Sequence, residues 1–366
     1  MVLRYCIFLM VRGFLVLEDG TVLDGVSFGH DGTVLGEMVF ITSMSGYQEC
    51  LSDPAYRGQI VVPAFPLIGN YGASDRFSMS DRIHAAGMVV REYSSEPSDM
   101  YGGISLSEYL KANKVPGISD VDTRDLVSII RTKGTIRAAI VLDEKDIPKV
   151  KEQLKERRDE KNLVDLVSSK SIRNIDNGKG VKVGILDCGV DSGLIKDISG
   201  SYDITVFPYD TKPADIKKAG IKALIISNGP GDPSHPEIKG TVVNTIKELS
   251  SSVPMMGLSF GACAVALAFG CRTMKMRFGH HGCNQPVKYG KRVHITIQNH
   301  LYDVDQTSMK GTGLIMDQVN VNDGSLEGFS HERLPVFGML YYPVHTKYER
   351  DSFFYETLGR ITGAKK

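Results

Sequence analysis

The stretch "VPMMGLSFGACAVALAFG", residues 253–270, decides how the second half of this chain folds. It opens as an apolar strand and closes as a helix-like run of small and apolar residues. Between them, Gly257-Leu258-Ser259-Phe260-Gly261 fits G-x-S-x-G. That pattern marks a sharp strand-to-helix turn that lifts its central residue out as a nucleophile. A group there gains the positive field of the helix N-terminus. The next N–H, here that of Phe260, can bind an oxyanion. A plainer reading stays open: the two glycines only let strand and helix pack closely.

Working outward, "VKVGILDCG" (181–189), "ITVFPYD" (204–210) and "IKALIISNGPGDP" (221–233) read as further buried strands. Helical stretches separate them, notably 237–250 and 261–269. Strands alternating with helices imply parallel βαβ units and an open, doubly wound sheet, so the fold class is α/β. Such sheets bind ligands at the C-terminal ends of their strands, where Ser227–Pro233 and Ser259 both fall. "SNGPGDP" packs two glycines and two prolines into a tight loop whose N–H groups could cradle an oxyanion; a simple turn is the alternative. Residues 293–300, 312–323 and 334–343 read as later strands, and 351–362 as a closing helix.

The first half has a different rhythm. Residues 12–142 read as short strands with many turns, with hairpin signals at Asp19-Gly20 and Asp31-Gly32. Helices are expected near 105–113 and 122–132, with Asp122 as an N-cap. Residues 144–158 predict an exposed charged helix, and the polar stretch 168–180 a linker. The domain division is therefore 12–142, a charged helix and linker over 143–179, and 180–366. Residues 1–11 read as a mis-called extension, with Met10 an alternative start.

The composition narrows the function classes. Its 43 basic and 43 acidic residues cancel, so no global field points to nucleic acid. No run of 18 apolar residues occurs, so no membrane span is expected. The six cysteines are scattered without a C-x-x-C, which predicts reduced thiols and a cytoplasmic home. His280-His281-Gly282-Cys283 lacks a second pair at zinc spacing, so no metal is expected. There is no P-loop, and "GKGVKVG" (178–184) precedes its strand instead of following it.

The two strand-end loops, with "FGHHGCNQPVK" (278–288) and "QNH" (298–300), point somewhere specific. The chain resembles the small, glutamine-hydrolysing subunit of carbamoyl-phosphate synthetase. The resemblance runs nearly the whole length. It includes "LEDGTVLDG" (17–25), "GEMVFITSMSGYQECLSDPAYRGQIV" (36–61), "PLIGNYG" (66–72), "DVDTRDL" (120–126), "MKMRFGHHGCNQPV" (274–287) and "EGFSHERLPVFGMLYYP" (327–343). It implies a small-subunit domain of mixed strands and helices, then a class I glutamine amidotransferase domain. In that family a cysteine at the elbow attacks the amide of glutamine, helped by the His and Glu of an H-P-E signature. The ammonia released reaches a large subunit, which joins it to bicarbonate with two ATP. Carbamoyl phosphate, a precursor for arginine or pyrimidine synthesis, is the product. ATP and Mg belong to that partner, and no cofactor is expected here.

The sequence departs from the family at the chemistry. Where the resemblance implies G-x-C-x-G-H-Q, the elbow carries Ser259 for the nucleophile and Cys263 for the glutamine. The H-P-E signature reads Tyr342-Pro343-Val344, so base and orienting carboxylate are both replaced. N-H-G-F reads Asn299-His300-Leu301-Tyr302, and Asp191 stands for the usual lysine. The resemblance puts Ser43, Gly229, Gly231 and Phe260 at a vestigial glutamine site, together with Cys263, Asn299, Leu301 and Tyr302.

A serine hydroxyl, unlike a thiol of pKa about 8.5, needs a positioned base. A phenol of pKa about 10 is a poor one at neutral pH, and a valine accepts nothing. Losing a nucleophile–base unit typically costs on the order of 10⁶ in rate. The expectation is a small subunit without its own glutaminase, serving a large subunit that takes free ammonia. Two rivals remain. One is an amidotransferase relocated to Cys263 and His345. The other is a serine hydrolase at Ser259, with Asp303, Asp305, Asp317 or Asp323 as acid and His331 or His345 as base.

Overall fold

A computed structural model of the chain describes residues 11–98, 103–156, 162–343 and 352–364. The chain divides into two compact units, one of Met1–Ser52 with Gly58–Arg158, the other of Asp53–Arg57 with Asp159–Lys366. The second unit thus takes a short piece from within the expected N-terminal domain. The expected extension at residues 1–11 lies outside the described residues except for Val11.

The first unit is a closed barrel of short strands. Around it run Arg12–Leu17, Val22–Gly29, Pro116–Ser119, Gly87–Val89, Gln59–Pro63, Val34–Ile41 and Ile136–Val141, the last returning to the first. Asp19-Gly20 makes its hairpin, pairing Arg12–Leu17 with Val22–Gly29. Asp31-Gly32 does not. Val22–Gly29 pairs on its other side with Pro116–Ser119, while Val34–Ile41 pairs with Gln59–Pro63 and Ile136–Val141. A turn signal says where the chain reverses, whereas closure of the barrel decides which strands meet.

Leu106–Ala112 is opened by a capping box in which Ser105 and Glu108 satisfy each other's backbone N–H. Thr123–Lys133 is capped by Asp122, whose carboxylate accepts from the N–H groups of Arg124 and Asp125. The charged helix Ile147–Lys155 is not merely exposed. Its Val150 and Leu154 are buried against Phe14, Val16 and Val141. Charge along three sides of a helix hides a two-residue apolar stripe.

The second unit is built on a ten-stranded sheet among the described residues. Its centre is parallel: Asp203–Pro208, Lys182–Asp187, Ala223–Ile226, Met255–Leu258 and Val336–Met339 lie side by side. Their Val, Ile, Leu and Met side chains are almost all buried, as expected of strands covered on both faces. The far half is antiparallel, through Leu326–His331, Leu314–Asn320, Thr273–Tyr289 and Arg292–Val304. On the other edge Arg173–Ile175 pairs antiparallel with Asp203–Pro208, so part of the expected linker is sheet. No helix of the described residues is long and apolar enough to cross a membrane.

Candidate functional site

Ser259 sits between the strand Met255–Leu258 and the helix Phe260–Ala268. Its backbone has φ 49° and ψ −110°. Such a conformation in a non-glycine residue stores about 1–3 kcal/mol, so the surrounding packing must impose it. Gly261 shows how: a Cβ there would lie 2.1 Å from the carbonyl oxygen of Ile226, on the neighbouring strand. The Ser259 N–H also donates to the Met339 carbonyl at 2.7 Å. The sharp turn is therefore fully formed.

The side chain at its tip is occupied elsewhere. Ser259 is buried, and its hydroxyl donates to the backbone carbonyl of Asn299 at 3.2 Å. A peptide carbonyl accepts a hydrogen bond but is far too weak a base to take the proton. The strand Arg292–Val304 brings Asn299 here. Its Nδ2 donates to Asp53 at 3.1 Å, and its Oδ1 accepts from His281 Nδ1 at 2.8 Å. Burial pushes His281 down to about 4, so its ring is neutral at pH 7.

Tyr342 stands just beyond the strand Val336–Met339, held by an N–H bond to the Ile297 carbonyl at 2.9 Å. Its hydroxyl donates to Asp53 Oδ2 at 2.9 Å and accepts from Asn228 Nδ2 at 3.0 Å. Burial, reinforced by the charges of Asp53 and Asp191, raises its pKa well above the ordinary value. It is a locked phenol, not a base. Asp53 is raised by burial despite hydrogen bonds from Ala55 N–H, Asn299 and Tyr342. Asp191 caps the helix Ser192–Ser199 and is pushed up to about 6, first by burial and then by the charge of Asp53. Asp53 is the residue that the sequence reading missed. It lies 246 and 289 residues from its partners Asn299 and Tyr342, so no local pattern tied it to them.

The loop Ser227–Pro233 follows the strand Ala223–Ile226, as expected. Ser227 Oγ accepts from Cys188 N–H at 2.9 Å and donates to the Asn228 carbonyl at 2.8 Å. A Cβ at Gly229 would lie 2.3 Å from the Cys188 carbonyl, so this loop and the 187–189 turn are in direct contact. Gly231 turns with φ +83°. Phe260 and Leu301 are buried, and Tyr302 packs against the core of the second unit. Ser43 lies in the first unit, two residues past the strand Val34–Ile41. Val344 and His345 lie outside the described residues.

Both rival constellations can draw on His345, which lies outside the described residues; their described members are placed as follows. Cys263 is buried, its thiol contacts the Tyr302 carbonyl at 3.8 Å, and burial raises its pKa well above the ordinary value. It is a thiol, not a thiolate. His331 Nδ1 accepts from the N–H groups of Arg333 and Leu334. Asp305 pairs with Arg272, and Asp323 with His280. None of these contacts leads to Ser259.

Comparison with known proteins agrees with this layout. Residues 15–140 match the family model "Carbamoyl-phosphate synthase small chain, CPSase domain". Residues 174–357 match "Glutamine amidotransferase class-I". The carbamoyl phosphate synthase small chain of Caldanaerobacter subterraneus is 38% identical over 345 residues, 93% of this chain and 94% of that one. That of Clostridium perfringens is 39% identical over 345 residues, covering 93% and 97%. That of Methanopyrus kandleri is 40% identical over 342 residues, covering 91% and 94%.

Proposed function

This chain belongs to the carbamoyl phosphate synthase small chain family, and from that premise we propose that its own glutaminase is lost. In this reading it serves a large synthetase subunit that draws ammonia from solution. ATP, Mg and bicarbonate are handled on that partner, in the cytoplasm.

One observation carries the reading. At the position where the family's base would emerge, the Tyr342 hydroxyl is tied between Asp53 and Asn228. A phenol that already donates to a carboxylate and accepts from an amide has no role left in moving a proton. Among the described residues, the Ser259 hydroxyl donates its hydrogen bond to a backbone carbonyl, which is no base. The scaffold would then be kept for docking and for the shape of the ammonia route.

The test is co-expression with a large synthetase chain, followed by carbamoyl phosphate assays of the purified complex. Ammonium should support synthesis and glutamine should not. Equal efficiency from glutamine would sink the proposal. Failure to co-purify with any large chain would instead argue for a different partner.

A further inference from the structure

We propose that His280, His300 and Glu327 form a binding site for one divalent transition-metal ion of the zinc class. Each offers one ligand atom, and the three atoms lie within 4.8 Å of one another. The residues come from three strands, Thr273–Tyr289, Arg292–Val304 and Leu326–His331. The pairing of the first two sets His280 directly opposite His300. Two imidazoles and one carboxylate form a recurrent zinc ligand set that leaves a fourth position open.

The cluster is buried, with His280 5%, His300 7% and Glu327 0% exposed. Buried polar atoms nearly always have partners, yet His280 Nδ1 and Glu327 Oε2 have no hydrogen-bond partner. His280 Nδ1 lies 3.4 Å from Glu327 Oε1. That is long for a hydrogen bond. It is about the edge of a tetrahedron whose metal–ligand bonds are about 2.0–2.1 Å. The widest of the three gaps, at most 4.8 Å, would need to close by up to about 1.4 Å, a shift within rotamer reach.

The surrounding groups hold the rings as a metal site requires. His280 Nε2 meets Asp323 at 2.9 Å, which leaves Nδ1 to face Glu327. His300 Nδ1 meets the Tyr302 carbonyl at 3.0 Å. A carbonyl only accepts, so Nδ1 carries the proton; Nε2 lies 3.2 Å from Gln298 Oε1, a contact that an ion on Nε2 would replace. Asn320 Nδ2 steadies Glu327 Oε1 at 2.7 Å. Carboxylate or carbonyl partners behind ligating histidines are the usual outer layer of a metal centre.

Charge points the same way. Asp323 and Glu327 both pair with His280. The rival occupant is a proton. Against burial, Asp323 and Glu327 raise His280 to about 9. An imidazolium proton on Nδ1, however, would leave the 3.4 Å contact without hydrogen-bond geometry and Glu327 Oε2 still unpartnered.

The experiment uses the full chain, stripped with a chelator and titrated with Co²⁺ and then Zn²⁺. We expect one ion per chain, visible d–d bands of a low-coordinate nitrogen–oxygen site, and displacement of Co²⁺ by Zn²⁺. Glu327→Gln and His300→Asn should each weaken binding on the order of a hundredfold or more. Asp323→Asn, which touches only the ring behind, should weaken it about 10–100-fold. If a ligand variant fails to fold, the wild-type cobalt spectrum decides alone. No saturable binding overturns the proposal. So does a thiolate charge-transfer band, which would place the ion on a cysteine such as Cys283. Binding left intact in the folded variants overturns it equally.

Discussion

The turn at Ser259 and the residue Tyr342 lie at the ends of neighbouring parallel strands, Met255–Leu258 and Val336–Met339. At the first the backbone keeps the shape that nucleophilic catalysis would use, down to a φ of 49° at its tip. At the second the side chain belongs to a buried polar network with Asp53 and Asn228. The difference has a physical cause. Backbone shape at the elbow is enforced by core packing, because strand and helix leave no room for a Cβ at Gly261. It persists whether or not chemistry is done. In the proposed reading, a base and an orienting carboxylate have no such second job, so their replacement would cost little stability.

The comparison can be broken hardest at the elbow. Gly261→Val places atoms into the Ile226 carbonyl, and we expect loss of more than about 4 kcal/mol, seen as failure to give a soluble folded chain. A soluble variant with an unchanged melting temperature would show that packing does not enforce the turn.

The acidic network gives the next largest effect. Asp191 has a folded pKa of about 6, above its ordinary 3.8. Its contribution is therefore fully present below about pH 4 and is lost as pH rises through 6. Asp191→Asn keeps a capping side chain but removes the charge. It should match the wild type near pH 4 and exceed it by up to about 3 kcal/mol at pH 7.5, measured by urea unfolding at both values. A variant less stable at pH 7.5 than at pH 4, relative to wild type, would contradict this sign.

Tyr342→Phe should cost about 1–3 kcal/mol, because Asp53 loses a donor and Asn228 an acceptor inside the protein. Glutamate release from glutamine should not change. The smallest effect is the most pointed. Ser259→Cys should give no glutaminase, because the tip would gain a thiol and still lack a base. A glutamine-analogue electrophile should leave Cys263 unmodified in the native chain, while exposed Cys283 alkylates with iodoacetamide.

Much of this was legible in the sequence. The strand–turn–helix at residues 253–270 reads directly, because two glycines and a run of small residues leave few other folds. Asp122 as a cap and the parallel centre of the sheet follow from local pattern. What local pattern could not show is pairing at a distance. The stretch Thr273–Tyr289 alternates too little to read as a strand, and it becomes one through its hairpin with Arg292–Val304. Asp53 meets Asn299 and Tyr342 only after folding. The three candidate metal ligands sit at residues 280, 300 and 327, with no short-range spacing to betray them. The departures at Ser259 and Tyr342-Pro343-Val344 stood out because the sequence around them resembles the family so closely.

The most direct test of the account compares nitrogen sources in the complex of this chain with a large synthetase subunit. Carbamoyl phosphate should form from ammonium, and glutamine should give no rate above that of its contaminating ammonia. A glutamine-dependent rate matching that from ammonium, abolished by Ser259→Ala, would contradict the account at its centre.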